Sequence, residues 1–263
     1  MSVIRSAANP RVRRWRRLAE DARERRVEGR ALIEGPRLLD AYLAAGGRPK
    51  AVILGEAAGR DSGIARLIER SRCEPAILAD SVFRALSSTE APQGIAAEIE
   101  LPAGKPDLEA SEGCVFLDGV QDAGNVGAIL RSAAVLGVRD AVLGRGCADA
   151  WSPKVLRAAA GAHFVLRIAA GADLAAAIDR FGGTTACAVV RGGIAPDAAD
   201  LSGRIGWIFG AEGAGVRETV AAGADLKLTV PMSGRVESLN VAAAAAILLY
   251  ERARQLSRRA ARS

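Results

Sequence analysis

Histidine is nearly missing from this chain: His163 is the only one in 263 residues. A serine-triad hydrolase would have to rest on it, yet it lies in Gly161-Ala-His-Phe164 with no partnered serine signature. Cysteine is equally thin. Cys73, Cys114, Cys147 and Cys187 lie far apart and form no C-x-x-C pair. A zinc site requires clustered thiolates or imidazoles, so neither a metal nor a disulfide is expected. Cys114 and Cys187 fall in apolar, strand-like runs, where cysteine behaves as a small buried hydrophobe. No apolar run approaches the ~20 residues that cross a bilayer. The longest candidate, Val241 to Leu249, is mostly alanine, and the first residues carry arginines and acids where a signal peptide has an apolar core. A cytoplasmic protein is expected. Nucleotide-binding signatures are missing as well. There is no Walker A sequence, and Gly124-Asn-Val-Gly127 lacks the first glycine pair of G-x-G-x-x-G, which disfavours NTPase and Rossmann redox functions.

What is present is globular in composition: half of the residues are hydrophobic and a quarter are charged. The length suits one large domain or two ordinary ones. Charge is distributed unevenly. Residues 1–30 hold ten arginines against Glu20, Asp21, Glu24 and Glu28, and residues 251–263 hold five against Glu251. The whole chain is only +6, so residues 31–250 are net acidic. Basic stripes confined to the ends are what a phosphate backbone selects for. The competing account is an arginine-rich composition that solvates exposed helices. The acidic body argues against a purely compositional cause.

Asn9 and Pro10 suit the cap and first turn of a helix on which Val12, Trp15, Ala19 and Ala22 recur at helical spacing. Trp15 reads as a packing anchor rather than a platform for a base. Gly29 ends the segment. Apolar runs at 31–33, 51–54, 76–78 and 94–99 then alternate with helical stretches, which predicts a small α/β domain over residues 1–100. Residues 101–112 are rich in proline, glycine and charge and read as a linker. From 113 to 263 the strand–helix alternation restarts, ending in a helix from about Leu239 and a basic tail.

Three segments in this second half share one grammar of strand end, polar loop and helix start: Leu117 to Arg131, Ile208 to Gly215 and Thr229 to Ala242. Open α/β sheets bind ligands at the carboxyl ends of their strands, so three such loops can build one site. In order and spacing they resemble the three motifs of the SpoU (TrmH) family of RNA 2′-O-ribose methyltransferases, in the S-adenosylmethionine-dependent SPOUT class. The third, Pro231-Met-Ser-Gly-Arg-Val-Glu-Ser238-Leu239-Asn240, is the most specific. More weakly, Ser6 to Pro10, Glu34 to Leu39 and Gln93-Gly94-Ile95-Ala96 resemble that family's ribosomal-protein-like substrate-binding domain.

The resemblance implies an α/β architecture. A trefoil-knotted methyltransferase domain, with a mostly parallel sheet and helices on both faces, follows a small RNA-binding α/β domain. It implies Asn125, Arg131, Glu212, Ser238 and Asn240 as catalytic residues, and Gly210, Val230 and Leu239 as cofactor contacts, with Val189 and Val190 a weaker adenosine-side candidate. The cofactor would be S-adenosyl-L-methionine and the assembly a homodimer. The substrate would be structured RNA, 23S ribosomal RNA before transfer RNA because of the extra N-terminal domain. A drug-resistance methyltransferase and a non-catalytic RNA-binding dimer share this layout. Arg131 occupies the position that the family treats as a base; because a guanidinium is a permanent cation, stabilising an oxyanion suits it better. Taken alone, Arg131 is also an ordinary surface arginine, Glu212 a helix cap, and Ser238 and Asn240 N-caps. One departure stands out: Ala123 occupies the proline position of the family's Asp-Pro-Gly-Asn. Lys154 and Arg157 sit on a helix that also fits the family and is expected to face RNA.

Overall fold

The computed structural model describes residues 3–234 and 237–261. Arg235 and Val236 of the third motif and Arg262 of the basic tail lie outside the described residues. The chain forms two units, one of Met1–Ala103 with Trp151–Phe164, the other of Gly104–Ala150 with Val165–Ser263. No helix among the described residues is long and apolar enough to cross a membrane.

Helix α1 (Pro10–Glu20) begins as expected, with the Asn9 side chain accepting the Arg11 N–H at 2.9 Å. It stops sooner than the spacing suggested. Asp21 leaves helical geometry and its carboxylate accepts from Arg23 and Glu24, capping a second helix, α2 (Ala22–Glu28). Ala22 therefore lies off the α1 stripe, and the buried residues of α1 are Val12, Trp15 and Leu18. Gly29, at φ 62°, ends α2 in the left-handed conformation.

The chain continues through β1 (Arg30–Glu34), α3 (Pro36–Ala44), β2 (Ala51–Gly55), α4 (Ser62–Ser71), β3 (Pro75–Leu78), α5 (Asp80–Leu86) and β4 (Ile95–Glu100). The sheet order is β1-β4-β2-β3; β4 runs antiparallel to both neighbours and β2 parallel to β3. Alternate residues feed two cores. Ile33, Val52 and Leu54 pack under α3 and α4, while Leu32, Ile53 and Ala76 pack under α1 and α5.

No helix or strand occurs between Glu100 and β5 (Gly113–Asp118). The second unit continues with α6 (Ala123–Val135) and β6 (Asp140–Gly144). Helix α7 (Pro153–Ala159) follows in sequence and groups with the first unit. There Arg157 donates to Ser88 and lies 3.8 Å from the Glu34 carboxylate, so its charge is already engaged. His163 is 1% exposed and its ring centroid lies 4.9 Å from that of Trp151.

The rest comprises β7 (Arg167–Ala172), α8 (Leu174–Asp179), β8 (Thr184–Ala188), β9 (Ile205–Gly210), α9 (Glu218–Ala221), β10 (Leu226–Leu228) and α10 (Val241–Ala260). Six parallel strands run in the order β10-β8-β9-β5-β6-β7. β5 and β9 are buried along their whole length, as central strands of a sheet covered on both faces must be. Cys114 and Cys187 are buried in this core, and burial pushes the Cys187 thiol up to about 11.

Candidate active site

The carboxyl ends of β8, β9 and β10 open into a cavity of about 320 Å³. Its walls come from residues 188–190, the loop 210–215, Leu228, Val230 and Met232, and residues from Ser238 into α10. Gly210, Val230 and Leu239 all line it, as do Ser238, Asn240, Glu212 and the Val189–Val190 pair. The surface is mainly aliphatic side chain and glycine-rich backbone. Leu239 is 39% exposed, so an apolar side chain stands open at the cavity rather than being absorbed by the core.

Local chemistry explains the loops. β10 ends at Leu228, and Thr229 follows it, donating from Oγ1 to the Val189 carbonyl at 3.1 Å. Gly210 has little freedom to change: a Cβ there would lie 2.1 Å from the carbonyl carbon of Gly215. Gly213 is needed for a different reason, a φ of 84° in otherwise open space. Helix α10 starts at Val241, and Asn240 is its cap, its Oδ1 accepting from Ala242 at 2.9 Å and Ala243 at 3.3 Å. Ser238 lies two residues before that cap and does not serve as one.

Three of the five expected catalytic residues are hydrogen-bonded in series. Asn240 Nδ2 donates to Asn125 Oδ1 at 3.0 Å, and Asn125 Nδ2 donates to Glu212 Oε1 at 2.5 Å. Asn125 is itself set by Asp122, which N-caps α6 and accepts the Asn125 N–H at 2.8 Å. Asn240 thus caps α10 through its oxygen while its amide nitrogen reaches Asn125. Glu212 caps no helix; α9 begins after Arg217, without a side-chain cap. Arg131 stands apart. It is exposed on α6 and does not line the cavity, and its side chain has no hydrogen bond or ion pair among the described residues.

The motifs did not single out Asp118, the last residue of β5. It is 3% exposed and binds Arg217 through both backbone and side chain. An acid closing an otherwise apolar strand, Cys114 to Leu117, was the available signal.

A cavity at the carboxyl ends of a parallel sheet, bordered by hydrogen-bonded side chains from three loops, defines an open α/β protein with its candidate site at the edge where such sheets bind ligands. Residues 113–250 match the SpoU rRNA Methylase family, and residues 9–97 match the MRM3-like substrate binding domain. The chain belongs to the SpoU rRNA methylase family. It is 35% identical to the 23S rRNA (guanosine(2553)-2′-O)-methyltransferase RlmP of Bacillus subtilis, over 95% of this chain and 98% of that protein. Among solved structures, the SpoU methyltransferase AviRb from Streptomyces viridochromogenes, in complex with AdoMet, superposes with a TM-score of 0.85 at 25% identity, covering 94% of this chain and 98% of that one. A crystal structure of an RNA 2′-O ribose methyltransferase gives 0.80 at 29% identity, covering 97% and 99%.

Proposed function

We propose that this protein methylates a ribose 2′-hydroxyl of ribosomal RNA with S-adenosylmethionine as the donor. The hydrogen-bonded series Glu212–Asn125–Asn240 beside the cavity carries this reading. The cavity fits the cofactor's chemistry: its size is at the lower end of the ~300–1,000 Å³ typical of small-molecule sites, and its aliphatic and backbone lining suits an adenosine and a methionine chain. Gly210, Val230 and Leu239 would hold it. Bound there, S-adenosylmethionine supplies an electrophilic methyl group on a sulfonium.

The chain's own residues supply orientation and electrostatics. With Asn125 and Asn240 held by caps at two helix starts, Glu212 is fixed without reorganisation, which favours catalysis by alignment. Arg131, unengaged by other side chains, is available to a phosphate or to the developing alkoxide. Ser238, exposed at the cavity, faces the same reacting end. The first unit would hold the RNA. The Bacillus subtilis relative acts on 23S rRNA, which makes that RNA the first to test and a cytoplasmic location the natural one. The knot and the two-fold dimer of the class belong to the same proposal. Val135 on α6, with Ile247 and Tyr250 on α10, presents exposed apolar surface suited to a second copy. The deciding experiment is methyl transfer from labelled S-adenosylmethionine to ribosomal RNA, with the modified nucleotide mapped. Arg131→Ala should abolish transfer and leave cofactor binding intact; normal turnover by that variant would refute the assignment.

A further inference from the structure

We infer that Asp118 is a positioning residue for this site: its buried carboxylate clamps the loop 211–217, which carries Glu212 and walls the cavity. The inference rests on the methyltransferase reading of that cavity. Asp118 closes β5, and its register partner on β9 is Gly210, where the loop departs. Its Oδ2 accepts the backbone N–H of Arg217 at 2.9 Å, where the loop ends. Its Oδ1 accepts Arg217 Nε at 2.8 Å and lies 2.8 Å from Nη2. Both ends of the loop are therefore fixed to the same strand end.

Between them the backbone is tight. Ala211 and Gly215 exchange two hydrogen bonds of 3.0 and 2.8 Å, and Gly213 and Gly215 take φ values of 84° and 71°. A loop this short has little side-chain packing of its own, so its position depends on what fixes its ends. The Asp118 side chain is 2% exposed and that of Arg217 is 63% exposed. A carboxylate so buried is costly without a cation, so it holds Arg217 firmly, whereas the arginine adds almost nothing to the core. Such an arginine holds the loop that it terminates, and it also neutralises the buried carboxylate. Glu212 sits one residue into this loop, and its bond to Asn125 depends on where the loop is held.

Hydrogen exchange of the full chain without cofactor reads the clamp directly. Arg217→Ala and Asp118→Asn should each speed exchange of the 211–216 amides about tenfold, the worth of one charge-assisted hydrogen bond discounted for solvent exposure. The rest of the sheet should be unaffected, and the double variant should exchange no faster than the faster single one. Arg217→Lys, which keeps the charge and loses the forked donor, should fall between. Unchanged exchange in Arg217→Ala overturns the proposal, and Arg217→Lys, which leaves Asp118 a cation, separates loosening of the loop from a general loss of stability. In turnover, Arg217→Lys, which leaves Asp118 a cation, should raise the KM for S-adenosylmethionine more than it lowers kcat. Equal KM and kcat in the variant and wild type would show that the clamp does not serve the site. Failure of the wild-type protein to bind S-adenosylmethionine in calorimetry would instead refute the cavity reading, and the exchange rates would still decide the clamp.

Discussion

Glu98→Gln should remove a defined share of the pH dependence of folding. Glu98 lies on β4 with a side chain 2% exposed, and burial alone would raise its pKa. Hydrogen bonds from Arg14, Trp15 and Arg30 outweigh that, bringing it down to about 2 from a usual 4.5. The Trp15 indole donates at 2.9 Å, Arg14 from both terminal nitrogens at 2.7 and 2.8 Å, and Arg30 at 2.6 Å. A carboxylate whose folded pKa is depressed stabilises the fold above its unfolded pKa, and that contribution is lost as pH falls toward the folded value. The full difference is about 3 kcal/mol, of which about 2 kcal/mol disappears between roughly pH 6 and pH 3. Urea denaturation of wild type and Glu98→Gln across that range isolates the term, because every other carboxylate is common to both. The stability advantage of wild type should shrink by about 2 kcal/mol as the solution is acidified. Parallel curves would refute the argument, since Glu98 would then titrate alike in folded and unfolded chains.

Four further outcomes are expected. Arg14→Ala should destabilise the protein by about 2–4 kcal/mol, because it strips a buried carboxylate of its bidentate partner. Neutralising the exposed Arg13 and Arg26, neither of which has an ion pair among the described residues, should leave urea stability within about 0.5 kcal/mol. The same pair should lower the log–log salt slope of RNA binding by roughly 0.7–0.9 for each phosphate no longer neutralised; an unchanged slope would place the RNA on other residues. Leu239→Trp should weaken S-adenosylmethionine binding at an unaltered melting temperature, measured by calorimetry and thermal unfolding. Gly210 is unsuitable for that test, because any side chain there collides with the loop backbone and disturbs the fold as well as the site. Light scattering should give a dimer mass, and a monomer at working concentration would count against the two-fold assembly.

The local grammar of the chain determined a good deal. Strand ends, polar loops and helix starts around 117–131, 208–215 and 229–242 were legible because each is a short-range pattern of apolar runs, glycines and caps. Trp15 as a packing anchor was legible for the same reason. Tertiary structure decided what depended on partners distant in sequence. Asn125 meets a carboxylate 87 positions away, and Arg14 meets one 84 positions away. Nothing at Arg14 itself distinguishes it from Arg13, yet one neutralises a buried acid while the other faces solvent. α1 breaks at Asp21 because that carboxylate caps a new helix, an outcome the apolar spacing through Ala22 did not display. Residues 151–164 join the first unit, where Leu156, Trp151 and Phe164 pack into the core under α3 and α4, on side chains contributed by a distant part of the chain. Asp118 became visible as a clamp only when β5 and β9 lay side by side, since a carboxylate's role is set by the donors that folding brings to it.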